Sequence, residues 1–275
     1  MIFEGEYLFN HKKKGKQYIK NKLEYDGYYL FDKKWEGKGY DKNGNLIYEL
    51  IKGKGKVKEY FGYNCDSLYY EGEYLNGKKN GNGKEYAEEG RYLNYEGEFL
   101  NGRRNGKGKE YYYEDLIFEG EFLNGERWNG KGKQYDARGV EYGLVYEGEF
   151  LNGKWHGKGK EYKNNNLIFE GSFYNGKKWN GKGYDGNDNV IYELKDGKGL
   201  MKIYVNGELV CEGGFLNGEL YGKSKIFDKG KLLYEYELID GKTKIYQKDE
   251  LIYEGAWKMD IDGKELVKNI MTKVN

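Results

Sequence analysis

The sequence has 275 residues, of which 34% are charged and 37% apolar, and its net charge is +1 with a mean hydropathy of −1.01. This composition argues against a thick hydrophobic core, and the balanced charge gives no electrostatic case for binding nucleic acid or a strongly anionic surface. Aromatic residues reach 17%, including 31 tyrosines, so the composition is not that of a disordered protein. A thin sheet covered by tyrosine rings is favoured, because tyrosine packs its ring and leaves its hydroxyl in water.

One motif recurs along the chain and organises it. Its best copy, YEGEFLNGRRNGKGKEY, occupies residues 95–111, and four other clear copies begin at Tyr70, Phe118, Tyr146 and Phe169. Self-similarity at a nearly fixed interval indicates one small supersecondary unit per repeat. Weaker copies precede and follow the clear ones, so that about twelve units fill residues 1–262 and the five clear ones fill 70–184. In chain order, the weaker copies span Phe3 to Tyr18, Tyr25 to Tyr40, Tyr48 to Tyr60, Tyr192 to Tyr204, Cys211 to Phe227, Tyr234 to Tyr246 and Tyr253 to Lys264.

Each repeat contains two segments with strand character, separated by an Asn-Gly turn signal that is typical of a β-hairpin. Alternation places Tyr95, Gly97 and Phe99 on one face, and the glutamates between them on the other. We expect the rings to lie over the glycines of the return strand, while Glu96 and Glu98 face Lys107 and Lys109 across the strands. Proline is absent, which leaves every backbone N–H free for a sheet.

These residues resemble the MORN repeat (membrane occupation and recognition nexus), and the resemblance covers nearly the whole chain. It implies an antiparallel hairpin per repeat, stacked into a long twisted sheet, but no single activity. The predicted fold is therefore all-β: one elongated, open antiparallel sheet. A short C-terminal capping helix is predicted over 263–275, because Leu266, Val267, Ile270 and Val274 recur at helical spacing.

The sequence offers no singular reactive site, and we predict that the chain is not an enzyme. His11 and His156 lie at hairpin turns and are interpreted as structural. The glutamate pairs recur in every repeat, whereas catalytic carboxylates need one special environment. No cofactor or metal is expected. The two cysteines, Cys65 and Cys211, lie several repeats apart, which favours free thiols in a reducing cytoplasm. A repeat directly follows Met1, so no signal peptide is expected.

Tryptophans at the hairpin tips form one candidate surface. In KKWEG, ERWNG and KKWNG the tryptophan accompanies a turn that is one residue longer. These side chains are either anchors for a partner, since tryptophan is enriched at binding hot spots, or seals that close their own turns. The four residues are Trp35, Trp128, Trp155 and Trp179.

A second candidate surface is a strip of rings in the clear repeats. A sheet of one layer has no second layer to cover this strip, so we expect part of it to stay exposed unless twist closes it. Its members are Tyr70, Tyr74, Tyr95, Phe99, Phe118, Phe122, Tyr146, Phe150, Phe169 and Phe173.

The predicted function is that of a non-catalytic repeat scaffold that binds another protein through an aromatic face or groove. The partner is an extended peptide, a helix or a second copy of the chain. The alternatives are a peripheral membrane or phospholipid module, which the near-zero net charge disfavours, and a docking or immunity-type bacterial repeat protein.

Overall fold

The computed structural model describes residues 2–61, 67–88, 90–136, 143–185, 188–205, 208–216, 219–239, 242–248 and 250–255. Within these ranges the chain forms β-strands and turns and no helix, which confirms the all-β prediction. It divides into two compact units, Met1–Gly132 (unit 1) and Lys133–Asn275 (unit 2). The predicted C-terminal helix over 263–275 lies outside the described residues.

Consecutive strands form antiparallel hairpins in ten of the first eleven repeats read from the sequence, and the exception is the third repeat, β5–β6. The strands that begin in unit 1 are β1(Ile2–Leu8), β2(His11–Ile19), β3(Lys22–Leu30), β4(Lys33–Tyr40), β5(Leu46–Leu50), β6(Gly55–Phe61), β7(Ser67–Leu75), β8(Lys78–Ala87), β9(Tyr92–Leu100), β10(Arg103–Tyr112), β11(Asp115–Leu123) and β12(Glu126–Tyr135). Those that begin in unit 2 are β13(Leu144–Leu151), β14(Lys154–Lys163), β15(Asn166–Tyr174), β16(Lys177–Tyr184), β17(Val190–Lys195), β18(Lys198–Val205), β19(Glu208–Leu216), β20(Glu219–Asp228), β21(Lys231–Ile239), β22(Lys242–Gln247) and β23(Glu250–Gly255).

The register confirms the predicted packing of rings and charges. In the β9–β10 hairpin, Gly97 pairs with Gly108 and Glu96 pairs with Lys109. Both residues of the Asn101-Gly102 turn have positive φ, at 53° and 90°, as a type I′ turn requires. Asparagine and glycine are the residues that adopt this conformation at low cost, so the local sequence determines where each hairpin ends.

The sheet is interrupted once in unit 1, and the prediction of a single uninterrupted sheet is wrong at this place. Strands β1 to β5 form a five-stranded sheet, and between β5 and β6 only an isolated bridge remains, from Ile51 to Lys54. The equivalent hairpin of unit 2, β17–β18, keeps four residue pairs. The two turns differ in the residue that takes the left-handed conformation, which is Lys52 in unit 1 and Asp196 in unit 2. Aspartate tolerates this conformation better than lysine does.

Three tryptophans occupy β-bulges and not longer turns, which corrects the sequence interpretation. The turns stay at two residues, and the extra residue enters the return strand instead. Opposite Glu121 and Phe122, for example, stand Asn129 and Arg127, with Trp128 left unpaired between them. Trp35 and Trp179 are skipped in the same way.

Candidate interaction surfaces

The predicted aromatic strip is the core of the sheet. Nine of its ten rings are buried, and Tyr74 is partly exposed. The expectation that the strip stays open to solvent is therefore wrong for these nine positions. Partner binding by the rings stays a prediction, and their burial argues against it. The buried members are Tyr70, Tyr95, Phe99, Phe118, Phe122, Tyr146, Phe150, Phe169 and Phe173.

We call the first ring of each repeat motif, such as Tyr95, the leading ring. Contacts below and beside each leading ring explain the burial of the strip. Tyr95 lies against Gly108, where any Cβ would strike its ring. It packs edge to face on Phe99 at 5.2 Å and on Phe122 of the next hairpin at 5.0 Å. Its hydroxyl donates to the carbonyl oxygen of Glu98 at 3.0 Å, and burial raises the pKa of Tyr95 to about 12. Within unit 1 the rings therefore continue in a row from one hairpin to the next.

A side chain from the hairpin tip covers the remaining side of the leading ring. The Arg104 guanidinium lies 4.5 Å from the centroid of the Tyr95 ring, and the Lys79 ammonium lies 4.4 Å from that of Tyr70. Such cation–π contacts are worth about 0.5–2 kcal/mol each. Further cation–ring pairs of this kind are Lys12 on Phe3, Lys34 on Tyr25, Arg127 on Phe118 and Lys178 on Phe169.

The covering cations also join neighbouring repeats through a row of ion pairs, which we call the ion ladder. Glu85 accepts from Lys79 at 2.7 Å and from Arg104 at 2.8 Å, and Glu110 accepts from Arg104 at 2.9 Å and from Arg127 at 2.6 Å. Burial alone would raise the pKa of Glu85, but its bonds to Lys79 and Arg104 outweigh burial and lower it. The ladder thus links three hairpins of unit 1.

Trp155 replaces a cation in this arrangement. Its indole stacks on Tyr146 at 4.4 Å with an interplanar angle of 5°, and its Nε1 donates to Gln134 at 2.9 Å. A neutral glutamine therefore stands where unit 1 has Glu85 or Glu110. All four predicted tryptophans are half-buried, which supports the interpretation that they seal their own hairpins, while their partner binding stays a prediction.

Backbone and side-chain bonds tie successive hairpin tips together. The N–H of Gly102 donates to the carbonyl oxygen of Lys79 at 2.8 Å, and later turns repeat this bond. His156 Nδ1 accepts from the Asn175 N–H at 3.5 Å, and His11 bonds to Asp32 of the next tip. Both histidines therefore connect tips, which supports the structural interpretation.

A trough of about 840 Å³ lies on the charged face of unit 1. We call it the charged trough. Its lining includes five lysines and five glutamates, so its formal charge is zero: Lys56, Lys58, Lys84, Lys107, Lys109, Glu71, Glu73, Glu96, Glu119 and Glu121. Glycines between these side chains leave the backbone accessible: Gly72, Gly83, Gly97, Gly108 and Gly120.

Cross-strand pairs hold the charged side chains of the trough in place. Lys84 lies 3.7 Å from Glu96, and Lys109 lies 3.5 Å from Glu119. The Tyr111 hydroxyl donates to Glu96 at 2.8 Å, and this bond explains why a tyrosine stands on the charged face. This role of Tyr111 was not predicted from the sequence, although the tyrosine that ends each GKGKEY segment was the available signal.

Two hairpin tips in unit 1 carry phenylalanine where the clear repeats have asparagine. Phe9 and Phe31 have φ of 50° and 49°, and their side chains are 88% and 72% exposed. A bulky residue in the left-handed region is strained, and neither ring is buried in return. Strain at an exposed position is a signal of function.

Replacing both phenylalanines with asparagine is expected to stabilise the protein by about 1 kcal/mol per site, because asparagine enters the left-handed region readily. Urea unfolding of the Phe9→Asn/Phe31→Asn variant measures this. Phe9→Ala/Phe31→Ala is the matched control, since alanine removes the ring but keeps the strain. Equal midpoints for the two variants would contradict the explanation.

The described residues provide little for covalent or metal chemistry. They contain no cluster of three or more histidine, cysteine or acidic side chains that could hold a metal ion. Burial raises the pKa of Cys211 to about 11, which makes its thiol unreactive at neutral pH. None of the described segments is an apolar helix of the length that crossing a membrane requires.

The stacked hairpins, with one ring row and one charged face per array, define a β-hairpin repeat protein. The family model described as MORN repeat matches residues 70–90, 95–114 and 146–167. Residues 70–167 therefore contain three MORN repeats. The matched repeats share a return strand without a bulged tryptophan. No curated protein matches the chain significantly.

Proposed function

We propose that this protein is a non-catalytic repeat scaffold that binds an extended segment of another protein in the charged trough. The observation that carries the proposal is the trough itself. Its volume lies in the range of specific binding sites, and its backbone is accessible between ordered charges. The repeat family is consistent with such a scaffold.

The charges of the trough indicate the kind of partner. Five lysines and five glutamates alternate along it, so a polyanion or a polycation would meet repulsion as often as attraction. A polypeptide segment with charges of both signs can match this pattern. Electrostatic complementarity of this kind supplies specificity more than affinity.

Photo-crosslinking in an extract of the host organism tests the proposal. A benzophenone amino acid at Asn82, which is exposed in the trough, is expected to give one discrete adduct. The same group at Glu126, exposed at a hairpin tip, is the control and is expected to give none. Lys84→Gln/Lys109→Gln should strongly reduce the adduct while the melting temperature changes little, because both ion pairs are largely exposed and glutamine introduces no like-charge contact. Equal adducts from both positions, or none from Asn82, would overturn the proposal.

Contact with a membrane surface is a second candidate function, which the exposed Phe9 and Phe31 favour. Aromatic rings at the tips of loops can enter the interface of a bilayer. Flotation with anionic liposomes at physiological salt tests this candidate. Phe9→Asn/Phe31→Asn should abolish flotation, and an unfolding defect could not explain the loss because this variant is expected to be more stable.

A further inference from the structure

Strand β1 has one unpaired edge within the part of the chain that the structure describes. It pairs with β2 alone, and Gly5 faces Gly15 there. Six of its seven residues are exposed. An exposed edge of this length, with apolar residues at both ends, is a template for another strand.

Internal strands of the same type show what such an edge binds. Strand β11 (DLIFEGEFL) is preceded by β10, whose Gly106-Lys107-Gly108-Lys109-Glu110 stretch lies opposite it. Lysines face the two glutamates of the EGE centre, glycine faces glycine, and glutamate faces the leading ring. The β8–β9 and β14–β15 pairs have the same register, with single substitutions.

In the later repeats, the preceding hairpin covers the side chains that are equivalent to the exposed ones of β1. Tyr7 occupies the position of Phe99, which is 3% exposed because Tyr70 and Lys79 of the preceding hairpin pack on it at 5.4 and 5.8 Å. Tyr7 has no such neighbour among the described residues and is 56% exposed. Glu6, in the same strand, forms an ion pair with Lys13 of the following strand, at 3.0 Å.

We propose that the free edge of β1 binds an extended basic strand of another protein, with the pattern Gly-Lys-Gly-Lys-Glu, by antiparallel strand addition. The backbone of the partner completes the ladder, and its lysines face Glu4 and Glu6. This site is separate from the charged trough, so failure of either proposal would leave the other untouched.

A second copy of the chain is a poor occupant of this edge. Antiparallel pairing of two β1 strands centred on Gly5 would place Ile2 opposite Leu8 and Phe3 opposite Tyr7. The same register would place Glu4 of each copy opposite Glu6 of the other. Like charges directly opposite each other destabilise a sheet. The charge of the edge therefore selects a basic strand over self-association.

The test is fluorescence anisotropy of the full chain with a labelled peptide of residues 106–112. Replacing both lysines of the peptide with glutamate should weaken binding about tenfold, because two attractive pairs become repulsive. The variant Glu4→Lys/Glu6→Lys should reverse this preference. Glu114→Lys/Glu126→Lys, which changes the net charge equally at exposed sites, should leave the preference unchanged.

Three results would overturn the proposal. The first is equal binding of both peptides to the parent chain, and the second is reversal of the preference by the control variant. The third is a dimer in analytical ultracentrifugation that the peptide disperses, which would reassign the edge to self-pairing. Circular dichroism melts of each variant confirm that the chains compared are folded.

Discussion

Replacing Gly120 with alanine is expected to destabilise the protein by about 3 kcal/mol. An added Cβ would overlap the carbonyl oxygen of Asn129 and lie 2.6 Å from the Cα of Gly130. Both are backbone atoms of the paired strand, so no side chain can rotate to make room. Strand β11 would have to part from β12, and the covering of the Phe118 ring would be lost with it.

Gly143→Ala is the matched control for this prediction. Its Cβ would lie 4.0 Å from Asn165 Oδ1, the nearest atom among the described residues, so the chain has room for it. Alanine also restricts the unfolded chain, and Gly143→Ala is therefore expected to be neutral or stabilising by up to about 1 kcal/mol. Urea unfolding compares the two variants. Similar losses from both would show that close approach of the strands does not explain the paired glycines.

Local sequence was sufficient to predict the hairpins and the face of the sheet that carries the rings. Asn101-Gly102 marks a type I′ turn, and the alternation of Tyr95, Gly97 and Phe99 assigns one face to the rings. Both signals lie within a few residues of each other, so they can be read without knowing how the neighbouring repeats pack. The pairing of Gly97 with Gly108 does not follow from the turn alone, because an irregularity between Arg104 and Gly108 shifts the register.

The burial of the ring strip could not be predicted in this way. Phe99 is covered by Tyr70 and Lys79 of the preceding repeat, and Tyr95 by Arg104 of its own tip. These contacts depend on how one hairpin is placed on the next, which period-two alternation does not encode. The bulged tryptophans were ambiguous for a similar reason, since one extra residue fits a longer turn or a bulge equally well.

A signal for the covering side chains was nevertheless present in the sequence. The second residue after the turn is cationic in three repeats, at Lys79, Arg104 and Arg127. Near the end of the return strand, a glutamate precedes a tyrosine at Glu85 and at Glu110. Where Trp155 replaces the cation, Gln134 replaces the glutamate in the return strand of the preceding repeat. The structure shows that these two side chains are in contact.

Replacing Glu110 with glutamine is expected to cost about 2 kcal/mol of stability. The carboxylate bonds Arg104 at 2.9 Å and Arg127 at 2.6 Å, and all three side chains are mostly buried. Glutamine keeps the shape but removes the charge, which leaves two guanidinium groups without their shared anion. Complete burial would make the loss larger, about 3–5 kcal/mol, and partial solvent access reduces it.

Glu119→Gln is the matched control for the ion ladder. Its pair with Lys109 spans 3.5 Å, but both side chains are largely exposed, so the expected cost is at most about 0.5 kcal/mol. Chemical unfolding at neutral pH compares the two variants. A loss from Glu119→Gln as large as that from Glu110→Gln would contradict the idea that the ladder binds the repeats together.

The ion ladder also predicts how stability falls in acid. The pKa of Glu85 is lowered in the folded protein from its ordinary value of 4.5. A lowered pKa means that the unfolded chain takes up the proton first, so the stabilisation is complete above about pH 4.5 and is lost as the pH falls through the folded value. Glu85→Gln removes this titration. Its free energy of unfolding should therefore fall less steeply below pH 4.5 than that of the parent chain, and parallel curves would exclude Glu85 as a source of the acid sensitivity.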